Sequence, residues 1–462
     1  VVSQRHINQH GLFIGIDLGT SGVRACAIDQ QKRLLHQCNQ SLPEPQCNIS
    51  DQPQPNGQQP AQQITQNITQ NPQLWWQATL QVLRQLFVQI DPAEVLGVSV
   101  NGTSGTVLAC DAQGTPLSPA LMYNHNACQA EAQRIAQIAP AGSGAQGASS
   151  GLAKLIYLQQ AFPDASRLLH QADWIAAQLS GEFAISDSNN ALKTGYDPQQ
   201  AEWPVWLDQL GIQRSWLPRV VSPGTVIGPV RSALLQNEFA QDQLNRNCQI
   251  ISGTTDSIAA FIATGASQVG EAVTSLGSTL VIKVISDKPV AAAEYGIYSH
   301  KLGDHWLAGG ASNSGGAVLR QYFSQQQLDQ LSPQLKPEQP TGLNYYPLLR
   351  AGERFPINDP QLPPRLQPEA ESQLQFFQGL LEGMAAIEHQ GYKKLQALGA
   401  SYPTRVISAG GGSRNSAWNR IREQQLGVPV CSAQYTEACY GSALLARRGY
   451  NATQTHSSSE PR

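Results

Sequence analysis

Two aspartates stand where apolar, strand-like runs give way to small polar residues. Asp17 follows Phe13-Ile14-Gly15-Ile16 and precedes Leu18-Gly19-Thr20-Ser21-Gly22, and Asp256 follows Ile250-Ile251-Ser252-Gly253-Thr254-Thr255. A carboxylate beside an anion-binding turn is repulsive unless a cation lies between them, so Asp17 reads as a ligand of Mg²⁺ held partly through water. Asp256 opens a helix of small and apolar residues. There it reads as a general base, accepting a proton from a substrate hydroxyl as that oxygen attacks phosphorus. An acid favoured by the helix dipole is the alternative for Asp256, and a turn cap the alternative for Asp17.

Glycine-rich turns supply the matching anion cradles. Gly19, Thr20, Ser21 and Gly22 can converge backbone N–H groups on an anion, with hydroxyls as further donors. The pattern is no P-loop, because G-x-x-x-x-G-K-[ST] is absent and a strand follows the turn. Gly277-Ser278-Thr279 forms a second such turn. Gly410-Gly411-Gly412, ahead of a helix beginning near Asn415, can carry a flat ring or a phosphate directly on the backbone. Arg414 reads equally as a phosphate ligand or an exposed loop residue. Asn101-Gly102-Thr103-Ser104-Gly105-Thr106 is a further polar loop at a strand end, where α/β proteins place ligand groups.

The elements that must position these residues follow one grammar used twice. Phe13–Asp29 and Ala272–Ser286 each read strand, small polar turn, strand. Aligning Leu18-Gly19-Thr20 with Leu276-Gly277-Ser278 sets the two turns 258 residues apart. Two related halves facing each other across a ligand cleft is the expected arrangement. Strand-like runs at Val95–Val100, Val107–Asp111, Gln249–Ser252 and Arg405–Ser408 alternate with helical patterns at Trp75–Val88 and Leu374–Leu398, the latter stopped by Gly399. Alternation of this kind predicts an α/β fold.

Composition bounds the remaining possibilities. In 462 residues, hydrophobic residues reach 41%, enough for real cores, while charged residues are 14% and the net charge is −3. No basic face for nucleic acid or an anionic membrane is discernible, and no apolar run suits a bilayer. Val1–His10 is polar, without an apolar signal core. Eight scattered cysteines lack metal spacing and read as reduced thiols of a soluble, cytoplasmic protein. Gln37–Gln73 holds 12 Gln and 6 Pro in 37 residues and reads as a surface insertion spanning about 39–73, so that deletion of Pro45 to Gln70 is expected to leave the protein folded and active. Residues 139–150 read as a loop, and those from Asn451 as a frayed tail.

G-I-D-L-G-T-S-G-V-R-A, G-T-T-D-S, S-L-G-S-T, Glu382-Gly383-Met384-Ala385 and S-A-G-G-G-S-R-N-S occur in the order of the FGGY carbohydrate kinases, which the chain resembles outside Gln37–Gln73 and the tail. The resemblance implies two actin-like (ribonuclease-H-like) ATPase domains around a central catalytic cleft. Residues 11–264 are then the sugar and phosphate-loop domain, 265–450 the nucleotide domain and 451–462 a tail. It further implies ATP and Mg²⁺ as cofactors and a sugar as substrate, with the enzyme a monomer or homodimer. Asp17 then neighbours metal and phosphate, with Thr20, Ser21, Gly22 and Arg24 in the first phosphate loop, and Asp256 is the catalytic base. Gly277, Ser278 and Thr279 match the second phosphate loop, and Gly410, Gly411, Gly412 and Asn415 the adenosine turn.

Two departures bear on the sugar. Where xylulose kinases carry Met-His-Gly, this chain has Thr103-Ser104-Gly105, and where Trp-x-Asp-x-x-Arg is common it has Met122-Tyr123-Asn124-His125-Asn126. The first resembles a small xylulose-kinase-like branch, which implies D-ribulose and Ser104 as a sugar contact. The second argues against glycerol. D-Xylulose or another polyol, a chaperone- or actin-like ATPase, and a non-catalytic sugar sensor are the competing readings.

Overall fold

A computed structural model describes residues 11–50, 65–239 and 244–457, which pack as two compact units. The first takes in the chain up to Ala263 together with residues from Glu437 onward, and the second spans Thr264–Thr436.

The first unit is built on a six-stranded sheet in the order Val226–Pro229, Gln249–Ile251, Val95–Gly102, Leu12–Leu18, Gly22–Ile28 and Leu34–Ser41. Leu12–Leu18 and Val95–Gly102 pair in parallel and are buried along their whole length, as continuous apolar runs at a sheet centre require. The second unit repeats the plan. Its sheet runs His300–Leu302, His305–Ser312, Leu280–Ser286, Glu271–Leu276, Arg405–Ala409, Val430–Ser432. In each unit a first strand pairs antiparallel with its hairpin partner and parallel with a later strand. The expected duplication of the hairpin thus extends to whole sheets.

The principal helices start and stop on recognisable residues. Asn71 caps Pro72–Phe87 by accepting from Gln73 N, with Pro72 at the first helical position. Ser372 caps Gln373–Ala397, which buries Phe377, Leu381, Met384, Ile387 and Leu395 in the second core and ends before Gly399 at φ +107°.

The glutamine-rich stretch corrects the expectation of a loop. Its described residues include Leu34–Ser41, Gln46–Ser50 and Thr65–Gln70, the last two pairing with each other inside a five-stranded sheet with Ala120–Leu121, Val107–Cys110 and Arg167–His170. Composition misled because backbone pairing needs no apolar surplus when a neighbouring strand supplies the partners: among its described residues Leu42 and Ile68 enter the core, and Gln70 is buried by hydrogen bonds. Residues 51–64 lie outside the described part.

The expected frayed tail is also corrected. Helix Ala438–Ser457 continues past Asn451, whose Nδ2 donates to Gln30 Oε1 at 3.3 Å, while Arg447 Nε donates to Gln30 O at 2.8 Å. Although it follows the second unit in sequence, this helix packs in the first. A Cβ on Gly441 would meet Ala259 O at 1.9 Å, so only glycine permits its approach to the helix carrying Asp256. Residues 139–150 form a loop, and all eight cysteines are free, five of them buried. Among the described residues no helix is long and apolar enough to cross a membrane.

Candidate active site

Three adjacent parallel strands of the first unit end together and carry its chemistry. Asp17 lies opposite Asn101 in the register of Leu12–Leu18 with Val95–Gly102, and Gly102 bridges Thr255, next to Asp256. These are carboxyl ends of strands in an open α/β sheet, the usual place for ligand groups. Antiparallel pairing sets Arg24 directly across from Asp17, and its Nη1 donates to Asp17 Oδ2 at 3.3 Å. The Asp17 carboxyl is nearly buried. Burial, and then the negative charge of Asp256, raise it to about 6, against the pull of Arg24 and with a smaller push from Glu437. The expected pair of aspartates therefore shares one electrostatic environment.

Asp256 begins helix Asp256–Ala263, half-buried, with Oδ1 accepting from Ser257 N at 2.6 Å. Behind it, Asn189 Nδ2 donates to Thr254 Oγ1 at 3.0 Å, and Asp187 caps the short helix Ser188–Leu192 that carries Asn189. The Gly19–Gly22 turn closes through Gly19 N donating to Gly22 O at 2.9 Å, leaving Thr20 half-buried and Ser21 exposed.

The Asn101–Thr106 loop is held from within. Gln171 Oε1 accepts from both Thr103 N and Thr103 Oγ1 at 2.9 Å, and Asn101 Nδ2 donates to Ile16 O at 3.2 Å and Ser442 Oγ at 2.8 Å. Ser104 Oγ is different. It is buried and meets no partner, as are Gln171 Nε2 and Thr255 Oγ1. Unpaired buried polar atoms are costly, so each of these calls for a partner that the folded chain alone does not give.

In the second unit, Gly277-Ser278-Thr279 connects Glu271–Leu276 to Leu280–Ser286, as the hairpin alignment expects. Gly316 N donates to Gly277 O at 2.8 Å and Ala317 N to Ser278 O at 3.1 Å, while Arg320 Nη2 reaches Ser278 Oγ at 2.8 Å. Gly410 takes φ +79°, a left-handed conformation, at the end of Arg405–Ala409, and Gly411 starts a single 3₁₀ turn. A Cβ on Gly411 would touch nothing within 4 Å, so the backbone there is open to a flat ring. Gly412 instead lies against Trp418, and the Asn415 side chain caps helix Ser416–Leu426 through Trp418 N and donates to Ser332 Oγ at 3.0 Å. Asn415 thus shapes the turn with the side chain that was expected to meet nucleotide. Arg414 is exposed. A cavity of about 360 Å³ in this unit, beside Tyr345, Arg365, Glu382 and Gln424, contains none of these turn residues.

Among the described residues no three His, Cys, Asp or Glu groups assemble a direct metal cage. Two mutually repelling aspartates with one arginine fit a divalent cation held by Asp17 through water instead. Sequence reasoning missed Gln171, Asn189, Glu437 and Arg320. Each is polar, and its partner lies far along the chain, so no local spacing could reveal it.

The family model described as the N-terminal domain of the FGGY family of carbohydrate kinases matches residues 12–263, and its C-terminal counterpart matches 272–450. The xylulose kinase of Escherichia coli (strain K12) is 24% identical over 428 residues, covering 89% of this chain and 84% of that protein. The L-fuculokinase of Salmonella typhi is 26% identical, covering 94% and 91%. Among solved structures, one described as a xyloylose kinase from Brucella ovis superposes with TM-score 0.80 at 24% identity, covering 96% of this chain and 91% of that one. Plasmodium falciparum glycerol kinase with ADP superposes with TM-score 0.77 at 15% identity, covering 97% and 92%. Two α/β units of actin-like ATPase type, and family models spanning nearly all of both, make this chain a member of the FGGY family of carbohydrate kinases, an ATP-dependent sugar kinase.

Proposed function

We propose that this kinase transfers the γ-phosphoryl group of ATP to a hydroxyl of a ketopentose, D-ribulose being preferred, with Asp256 as general base. The observation that carries the sugar assignment is Ser104, a buried, unpartnered hydroxyl; the family resemblance sets it at the place of a xylulose-kinase histidine. A hydroxyl both donates and accepts, so it suits a ketose hydroxyl pair without filling the pocket.

ATP supplies the phosphoryl group, and Mg²⁺ the charge neutralisation that lets an anion approach a carboxylate. Asp17 would hold that cation through water, with Thr20, Ser21, Gly22 and Arg24 on the same phosphates. Within the second unit, the family resemblance makes Gly277, Ser278 and Thr279 phosphate donors and Gly410–Gly412 the seat for the adenosine. Asp256 takes the proton of the attacking hydroxyl, and Thr254, held by Asn189, fixes the turn from which it does so. Coulomb repulsion from Asp17 favours that proton's arrival.

D-Xylulose is the second reading, favoured by the names of several curated relatives. Absence of an Asp and Arg at Met122–Asn126 speaks against glycerol. ADP release measured over D-ribulose, D-xylulose, L-fuculose, gluconate and glycerol tests the assignment. D-Ribulose is expected to give the highest kcat/KM and glycerol negligible turnover. Glycerol matching the ketopentoses, or ATP turnover indifferent to every sugar, overturns it.

A further inference from the structure

Lys154, on helix Gly151–Ala161, is completely withdrawn from solvent. Its Nζ donates to three backbone carbonyls: Gly105 at 2.7 Å, Met122 at 2.8 Å and Tyr123 at 3.4 Å. Three N–H donors thus meet three acceptors, none of them a carboxylate. Desolvating an ammonium is costly, and carbonyl dipoles return only part of that cost, so a core of aliphatic residues would serve stability as well or better. The arrangement needs another reason.

The identity of the carbonyls provides one. Gly105, at φ +81°, directly follows Ser104, whose buried Oγ has no partner. Met122 and Tyr123 belong to the turn in which His125 N donates to Met122 O at 2.9 Å. That turn is pinned on its far side by the glutamine-rich strand: Ile68 N donates to His125 Nδ1 at 3.2 Å, Gln66 N to Asn126 Oδ1 at 2.6 Å. The strands adjoining the two turns pair at Val107 opposite Leu121, and the ammonium ties the turns themselves together.

We infer that Lys154 is a positioning residue for the sugar, clamping the Ser104–Gly105 turn to the Met122–Tyr123 turn so that both present fixed groups to the substrate hydroxyls. The inference rests on the reading of Ser104 as a sugar contact. It assigns Lys154 no contact with substrate.

The clamp has a distinctive pH response. Burial holds the ammonium down at about 7, with Cys128 pulling it up and Lys193 pushing it further down. Two of the groups around it titrate well outside that range. Burial, then Lys154 itself, lowers His125 to about 4, and burial, then Glu131, raises the Cys128 thiol to about 12. As pH rises through about 7, Lys154 becomes a neutral amine with two N–H groups for three carbonyls, and the turns loosen.

Steady-state kinetics on the full chain with D-ribulose and ATP, from about pH 6 to 8.5, test this for wild type, Lys154→Met and Ser104→Ala. In wild type the sugar KM should rise across about pH 7, whereas the ATP KM should change only near the lower Asp17 midpoint of about 6. Lys154→Met should raise the sugar KM about tenfold or more, leave the ATP KM within about twofold, and abolish the pH dependence. Equal rises in both KM values, or a Lys154→Met enzyme with the wild-type sugar KM and pH profile, overturn the clamp. If Lys154→Met does not fold, the wild-type profile decides, a flat sugar KM counting against the inference. Ser104→Ala separates the two proposals. If it leaves the sugar KM unchanged, the sugar-contact reading falls; if it raises that KM and Lys154→Met does not, the clamp alone falls.

Discussion

Gln70 Nε2 donates to Thr20 O at 3.4 Å and to Pro43 O at 2.8 Å, while its Oε1 accepts from Trp75 Nε1 at 2.7 Å. A residue from the glutamine-rich stretch thus braces the turn assigned to phosphate. Gln70→Ala strands the buried Trp75 indole and frees two partly exposed carbonyls. The expected loss is about 1–3 kcal/mol in urea unfolding, with a rise in the ATP KM. Deleting 45–70 outright removes two paired strands and should abolish soluble expression. Unchanged stability in Gln70→Ala would show that the amide is dispensable.

Asp256→Asn should abolish sugar phosphorylation and spare nucleotide binding. Loss of a general base lowers kcat about 10²–10⁴-fold, equivalent to about 3–5 kcal/mol of barrier. The turns proposed for nucleotide, at Gly277 and Gly411, lie in the second unit and Asp256 in the first, so ATP affinity by calorimetry should hold. Near-wild-type turnover would falsify the general-base assignment.

The raised carboxyl of Asp17 has two measurable consequences. Burial and Asp256 lift it from 3.8 to about 6, so the folded protein binds more protons than the unfolded chain between those values. Its contribution to stability is therefore greatest below about pH 4 and falls as pH climbs through 6. Removing the like charge in Asp256→Asn should move the Asp17 midpoint downward in carboxyl NMR titrations of the ligand-free protein, and Glu437→Gln should move it less. A midpoint indifferent to Asp256→Asn means the two carboxylates do not interact.

Ser104→Ala removes one compact hydroxyl from the proposed sugar side. Sugar groups left unpaired should cost about 1–2 kcal/mol, roughly 5–30-fold in apparent sugar affinity. The ATP KM should not move. An intact sugar KM would take Ser104 out of the pocket.

The amino-acid sequence by itself determined the chemistry-bearing turns and the duplicated plan. Asp17, Asp256, Gly277 and Gly410 stand beside strand runs whose apolar character is local, and β-hairpin and strand-to-helix grammar is written in contiguous residues. What supports those turns was decided in three dimensions. Gln171 meets Thr103 across 68 positions, Asn189 meets Thr254 across 65, and Lys154 joins carbonyls 49 and 32 residues away. A polar side chain has no periodicity that announces its partner, because a buried hydrogen bond depends on where two distant backbones come to lie. For the same reason Thr65–Gln70, unreadable as a strand from its composition, became one when Gln46–Ser50 and Ala120–Leu121 offered their free backbone edges.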